Sequence, residues 1–268
     1  MRISFSNIAW ELDEEDAIAG YLASQGLDRV DVAHGKYIPD PAAATDAEIS
    51  VVRRLWADRG FQIEGMQALL FGTSGLNLFT DTDGVMFDRL AAVCRVGGGF
   101  GARALTFGSP RQRDRTGLSD DQAESMACDF FGRLGDAAAS HGVMICLEPN
   151  PVAYGCNFMT TTDDAAAVVA KIDHPAVRLQ LDVGAMTMNG EPAAETIIRH
   201  AGLIGHVHAS EPQLVVLGDG GSPHAEAAAA LRATRPELAV TIEMGPALAP
   251  RIRGVERALK VAKGAYAS

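Results

Sequence analysis

The chain has only four cysteines in 268 residues, Cys94, Cys128, Cys146 and Cys156, and no two of them form a CxxC pair or a zinc spacing. That excludes a cysteine-built zinc or redox motif. It leaves buried apolar filler in a reducing compartment as the expected use of these thiols. No apolar run is long enough to span a membrane, so no membrane partner is expected. The opening Met1-Arg2-Ile3-Ser4-Phe5 turns polar at Ser6-Asn7, without the apolar stretch of a signal peptide. The expected compartment is therefore cytoplasmic. Positive charge is also scarce: 23 Lys and Arg stand against 34 Asp and Glu, a net charge of −11. Binding to nucleic acid rests on cations that neutralise phosphates, so no nucleic-acid partner is expected. A small anionic ligand held by a few local cations stays compatible with that charge. No GxGxxG follows the first apolar run, which argues against a dinucleotide fold. Gly97-Gly98-Gly99-Phe100-Gly101 precedes its strand, so it is expected to be a flexible connection and not a phosphate cradle.

What is present is alternation. Short apolar runs, read as strands, cover Arg2–Ser6, Arg29–Ala33, Gln62–Met66, Arg103–Phe107, Val143–Leu147, Val177–Leu181, Leu203–Val207 and Leu238–Ile242. Helical patterns separate them at Asp13–Gln25, Asp46–Arg59, Gly84–Val96, Ser119–Ser140, Thr162–Ile172, Ala193–His200 and His224–Thr234, with a last helix at Pro250–Tyr266. Thr45-Asp46-Ala47-Glu48 and Ser119-Asp120-Asp121-Gln122 have the form of capping boxes. Gly26, Gly60, Gly142 and Gly202 lie where a helix would end before the next strand. Repeated strand–helix units of this kind predict an α/β protein with a parallel sheet. Eight of them without a linker predict one domain over residues 1–268, a single closed (β/α)8 TIM barrel.

In such a barrel the functional groups collect at the C-terminal ends of the strands. Four runs end on a polar ligand-type residue: Leu147-Glu148-Pro149, Leu181-Asp182, His206-Val207-His208 and Ile242-Glu243. Glu148, Asp182, His208 and Glu243 are separated by 34, 26 and 35 residues, so they sit on successive strands. Each alone could be a cap, a core histidine or a rim charge. Together at one barrel mouth they predict a site for one divalent metal ion, because leaving four such groups unpaired there would be costly. Oxygen donors with one imidazole suit Mn²⁺, the favoured ion, or Mg²⁺ or Co²⁺. Around them, Gln67, Asn150 and His206 are candidate substrate contacts at strand ends. Arg111 and Arg113, in Phe107-Gly108-Ser109-Pro110-Arg111-Gln112-Arg113, offer guanidinium forks suited to a carboxylate or phosphate. His34 and Lys36 could add to an anion site, and Trp10, Phe71 and Phe79 could roof the pocket.

These residues resemble a known family, the xylose isomerase-like barrels. It includes sugar phosphate isomerases and epimerases, among them ketose 3-epimerases and inosose isomerases and dehydratases, with endonuclease IV more distant. The resemblance covers essentially the whole chain. It is carried by Leu147-Glu148-Pro149, Leu181-Asp182, His206-Val207-His208 with Glu211 three further on, and Ile242-Glu243. It implies that Glu148, Asp182, His208 and Glu243 bind one metal and that Glu148 and Glu243 also act as acid and base. It adds Glu211 to the expected substrate contacts. The implied reaction is proton transfer next to a carbonyl of a small-molecule carbohydrate, through a metal-stabilised enediolate. A dehydratase would use the same core and then expel a leaving group; that alternative stays open, as does a homo-oligomer. The chain departs from the ketose 3-epimerases at Tyr154, Ala185 and Leu214, where those carry glutamate, histidine and arginine.

Overall fold

The structure is a computed structural model and describes residues 1–267. Eight parallel strands close on themselves in chain order: β1 (Arg2–Ser6), β2 (Arg29–Ala33), β3 (Gln62–Gln67), β4 (Ala104–Phe107), β5 (Met144–Leu147), β6 (Val177–Asp182), β7 (Ile204–Ala209) and β8 (Ala239–Ile242). Closure is made by β1 against β8, with Arg2 opposite Ala239 and Phe5 opposite Ile242. A doubly wound sheet would leave both edge strands open, so this ladder settles the architecture.

The outer ring comprises α1 (Glu15–Ser24), α2 (Asp46–Asp58), α3 (Val85–Phe100), α4 (Asp120–Ser140), α5 (Thr162–Ile172), α6 (Val183–Asn189), α7 (Ala193–His200), α8 (His224–Thr234) and α9 (Ile252–Tyr266). The two expected capping boxes form: Thr45 Oγ1 takes the Glu48 amide and Ser119 Oγ takes the Gln122 amide. Cys94, Cys146 and Cys156 are buried, and all four cysteines are free. No helix among the described residues is long and apolar enough to cross a membrane.

One expectation is corrected. Gly97, Gly98 and Gly99 are not a flexible connection but the last turns of α3, and only Gly101, with φ of 81°, turns the chain out of the helix. Glycine disfavours a helix, but here it is the price of close approach. A Cβ on Gly97 would stand 2.8 Å from Leu105, one on Gly98 2.5 Å from the His141 carbonyl oxygen, and one on Gly99 2.4 Å from Ile49. The helix therefore presses on β4, the end of α4 and α2 at once.

Side chains alternate along each strand. Phe5, Leu105, Phe107, Ile145, Leu147, Leu179, Leu181, Val240 and Ile242 are buried in the apolar core that the strands share with the helices. Their sequence neighbours fill the lumen, and that filling is polar. Thr106 on β4 donates to Gln180 on β6 at 3.1 Å, Gln67 on β3 donates to Ser6 on β1 at 2.7 Å, and His206 on β7 meets Asp31 on β2 at 2.6 Å. None of these pairs lies on adjacent strands, so each bond must cross the barrel interior.

The ladder slips at two places. Val30 and Asp31 of β2 face Ile63 and Gly65 of β3, leaving Glu64 as an extra residue. Leu179 and Gln180 of β6 face Ile204 and His206 of β7, leaving Gly205 extra. A bulge of this kind re-phases the alternation beyond it. On β7 it sets His206 opposite Gln180 and His208 opposite Asp182, all four on the lumen side.

Candidate metal centre at the barrel mouth

Glu148, Asp182, His208 and Glu243 converge. One donor atom from each lies within 4.8 Å of the others. His208 Nδ1 is 3.1 Å from Glu243 Oε2 and 3.5 Å from Glu148 Oε1. Depth is graded: the His208 side chain is 0% exposed, Glu243 11% and Glu148 14%. The two glutamates thus form the open side of the cluster.

Each carboxylate is aimed by its surroundings. Asp182 ends β6 and caps α6: its Oδ1 accepts the Ala185 amide at 2.6 Å, and its Oδ2 accepts the Ser210 hydroxyl at 2.8 Å. Ser210 Oγ accepts the Gly184 amide at 2.9 Å and so is fixed in turn. Glu148 Oε2 accepts Asn150 Nδ2 at 3.1 Å. It occupies space vacated by Gly108, where a Cβ would stand 2.4 Å from that oxygen.

The donor set fits a divalent cation. Glu148 Oε1 and His208 Nδ1 are buried with no hydrogen-bond partner, and both face the centre of the cluster. Burial, followed by repulsion from Glu148 and Glu243, pushes the Asp182 carboxyl up to about 7. Burial alone would lower the His208 imidazole, but the Glu243 charge and the nearby carboxylates of Asp31 and Glu148 hold it well above its ordinary range. Three carboxylates drawn together around an unpartnered nitrogen and oxygen are short of positive charge, and a cation would supply it. Three oxygen-bearing groups and one imidazole suit Mn²⁺, Mg²⁺, Co²⁺ or Zn²⁺ by chemistry, without choosing among them.

The other sequence candidates divide. Gln67 reaches the lumen, gives Nε2 to Ser6, and leaves Oε1 buried and unpartnered. Asn150 lies beside Glu148. Arg111 is exposed, whereas Arg113 is fully buried and donates Nη1 to the Glu148 carbonyl oxygen at 2.8 Å. Glu211 is directed away from the cluster: its oxygens take the Gly218 amide at 2.7 Å and the Ser222 amide at 2.9 Å, with His224 at 3.2 Å. It ties down the β7–α8 loop. His206 lies one level below His208, against Asp31. His34 is spent on the carbonyls of Ile38 and Leu69, and Lys36 on those of Asn7 and Trp10. Trp10 and Phe79 are buried, and Phe71 stands in solvent.

Two residues near the site, Asp31 and Ser210, escape a reading of the sequence, and a third, Tyr154, is read only as a departure from the ketose 3-epimerases. Asp31 leaves a signal, an acid between Val30 and Val32 in an apolar strand, but its partner is 175 residues away. Ser210 leaves none. Tyr154, just after β5, accepts the Gln213 amide of the β7–α8 loop at 2.8 Å, joining the loops that follow Glu148 and His208. Gln213 and Leu214 both adopt left-handed backbone, φ 60° and 54°, so strain is concentrated at the mouth.

Comparison with known proteins agrees with the barrel fold. A family model described as xylose isomerase-like TIM barrel matches residues 20–264. Among solved structures, a D-psicose 3-epimerase crystallised in the presence of D-fructose aligns with TM-score 0.81 and 18% identity, covering 100% of both chains. The 3-keto-D-glucoside 4-epimerase YcjR from E. coli aligns with TM-score 0.76 and 17% identity over 97% of this chain and 99% of that one. The IOLI protein with a binding zinc atom aligns with TM-score 0.74 and 14% identity over 100% of both. At such identities the likeness is one of fold. No curated protein sequence gives a significant match.

Proposed function

The chain belongs to the family of xylose isomerase-like TIM barrels, and from that membership we propose that it is a divalent-metal-dependent isomerase or epimerase of a sugar or sugar derivative. The observation that carries this reading is the convergence of Glu148, Asp182, His208 and Glu243 within 4.8 Å at the barrel mouth. Similar folds whose names describe sugar epimerases support the substrate class.

The four residues would hold the ion. A bound divalent cation supplies positive charge opposite oxygens on which negative charge develops when a proton leaves the carbon beside a carbonyl. The protein's own groups divide the remaining work. Asp182 has both oxygens engaged, so it is a fixed ligand and cannot swing to a substrate. His208 is sealed beneath the cluster. Glu148 and Glu243 come from β5 and β8, with β6 and β7 between them along one side of the ring, and both reach the open side. A substrate lying between them meets a carboxylate from either flank. One can accept the proton and the other can return it, with Asn150 steadying Glu148 through its far oxygen.

A lyase acting on a keto-sugar or keto-inositol would use the same two carboxylates, and product mass separates the two. The test is incubation of the Mn²⁺-loaded protein with a panel of keto-sugars in D₂O, read by mass spectrometry and NMR. An isomer that has gained one deuterium is the expected product. A product lighter by one water reassigns the protein as a dehydratase. Neither conversion nor exchange across the panel would overturn the reading.

A further inference from the structure

We propose that Asp31 is a positioning residue for the metal centre: hydrogen-bonded to His206 and facing His208 Nε2, its carboxylate favours the His208 tautomer whose Nδ1 is free for an ion. This rests on the functional reading above. Asp31 sits mid-barrel on β2 and is 0% exposed. Its Oδ2 is 2.6 Å from His206 Nε2 and 3.6 Å from His208 Nε2, and its Oδ1 accepts the Ser4 hydroxyl at 3.3 Å. The barrel is built around it. The β3 bulge brings Gly65 opposite Asp31, and a Cβ at Gly65 would stand 2.7 Å from Oδ2. A side chain has been given up there so that the carboxylate can stand.

The consequence falls on His208. An imidazole binds a cation only through a nitrogen that carries no proton, and the partner of the other nitrogen selects which one that is. His208 presents Nδ1 to Glu148 and Glu243, and Nε2 to Asp31. At 3.6 Å the Asp31 carboxylate stands just beyond hydrogen-bond reach of Nε2, which has no nearer partner, but its charge favours the proton on that nitrogen and leaves the Nδ1 lone pair for an ion. His206 completes the brace. Its Nε2 meets both Asp31 Oδ2 and, at 3.5 Å, Thr241 Oγ1, and its ring stands edge-on to His208 with centroids 5.2 Å apart. It is 3% exposed, so it fixes Asp31 from below instead of meeting a ligand from above.

A rival use of the same atoms is a second cation among Asp31, His206 and His208. Against it, 2.6 Å between His206 Nε2 and Asp31 Oδ2 is a direct hydrogen bond. A metal between these atoms, at roughly 2.0–2.2 Å from each, would force them further apart.

The test is Mn²⁺ affinity and stoichiometry of the chelator-stripped full chain, by competition with a chromophoric chelator, with the Co²⁺ absorption spectrum as a second readout. Parent, Asp31→Asn and Asp182→Ala are compared, with far-UV circular dichroism to confirm folding. We expect one ion per parent chain, about 10–100-fold weaker binding in Asp31→Asn, an altered Co²⁺ spectrum, and no binding in Asp182→Ala. If Asp31→Asn does not fold, His206→Gln, which keeps Asp31 and its Ser4 bond, should show weakened affinity instead. A parent that binds one ion while the folded variant binds it equally well with the same spectrum overturns the positioning role alone. Two ions in the parent falling to one in Asp31→Asn assigns a second metal site and also overturns it. A parent that binds none overturns the functional reading and this inference together.

Discussion

Asp182→Asn should make the metal-free protein more stable at pH 8 while abolishing its metal binding. The Asp182 carboxyl, ordinarily near 3.8, is pushed up to about 7 by burial and by Glu148 and Glu243. The folded chain therefore holds this proton more tightly than the unfolded chain. Stability is fully present below about 3.8, falls as pH rises toward about 7, and stays low beyond it. At about 1.4 kcal/mol for each tenfold change in acidity, ionised Asp182 costs the fold up to roughly 4 kcal/mol. Relaxation of Glu148 and Glu243 discounts that to about 1–3 kcal/mol. An amide keeps the geometry: its oxygen can accept the Ala185 amide and its NH₂ can face the Ser210 hydroxyl. Thermal melts in chelator at pH 5 and pH 8 would measure the effect, with about 2–4 °C expected per kcal/mol. The gain should appear at pH 8 and shrink at pH 5, and added Mn²⁺ should raise the parent but not the variant. A variant less stable than the parent at pH 8 in chelator would refute the claim that the cluster is starved of positive charge.

Other outcomes follow from the same geometry. Glu148→Gln and Glu243→Gln should retain some metal and lose about 10²–10⁴-fold in turnover, and only the variant lacking the base should stop exchange of the substrate proton with D₂O; parental turnover in both would leave them as ligands only. Arg111→Ala should raise KM for an anionic substrate, because this guanidinium is exposed at the mouth, and an unchanged KM would return it to the solvated surface. Arg113→Ala should instead lower metal affinity, since the bond that braces the Glu148 carbonyl at 2.8 Å is lost; parental affinity would contradict this. Gly98→Ala should destabilise the chain by about 1–3 kcal/mol despite its better helix propensity, because the new methyl meets the His141 carbonyl; denaturant titration would test it, and a gain in stability would refute the packing argument.

Much of the barrel is legible in local pattern. The eight strands fall within one or two residues of the runs that the sequence marks, because alternation and breaker residues are local signals. The four ligand-type residues stand out for the same reason: each ends an apolar run. What is hidden depends on distance. Helix α6 goes unseen because its cap, Asp182, reads first as a ligand-type residue at a strand end. The bulges at Glu64 and Gly205 are invisible without the ladder. Arg113 and Glu211, expected as substrate contacts, are buried and bonded within the chain, which only their folded loops reveal. The glycines of α3 mislead outright, since low helix propensity is overridden by three close contacts that no window of sequence contains.

That glycine turn also bears on the order in which the molecule assembles. A segment ending Gly97-Gly98-Gly99 gains little from helix formation by itself, so its last turns depend on surfaces from α2, β4 and the end of α4. It is expected to form only once all three neighbours are present. Amide hydrogen exchange should therefore protect residues 97–101 late, in step with β4, and the first half of α3 earlier. A fragment cut before β4 should therefore leave the end of α3 unformed.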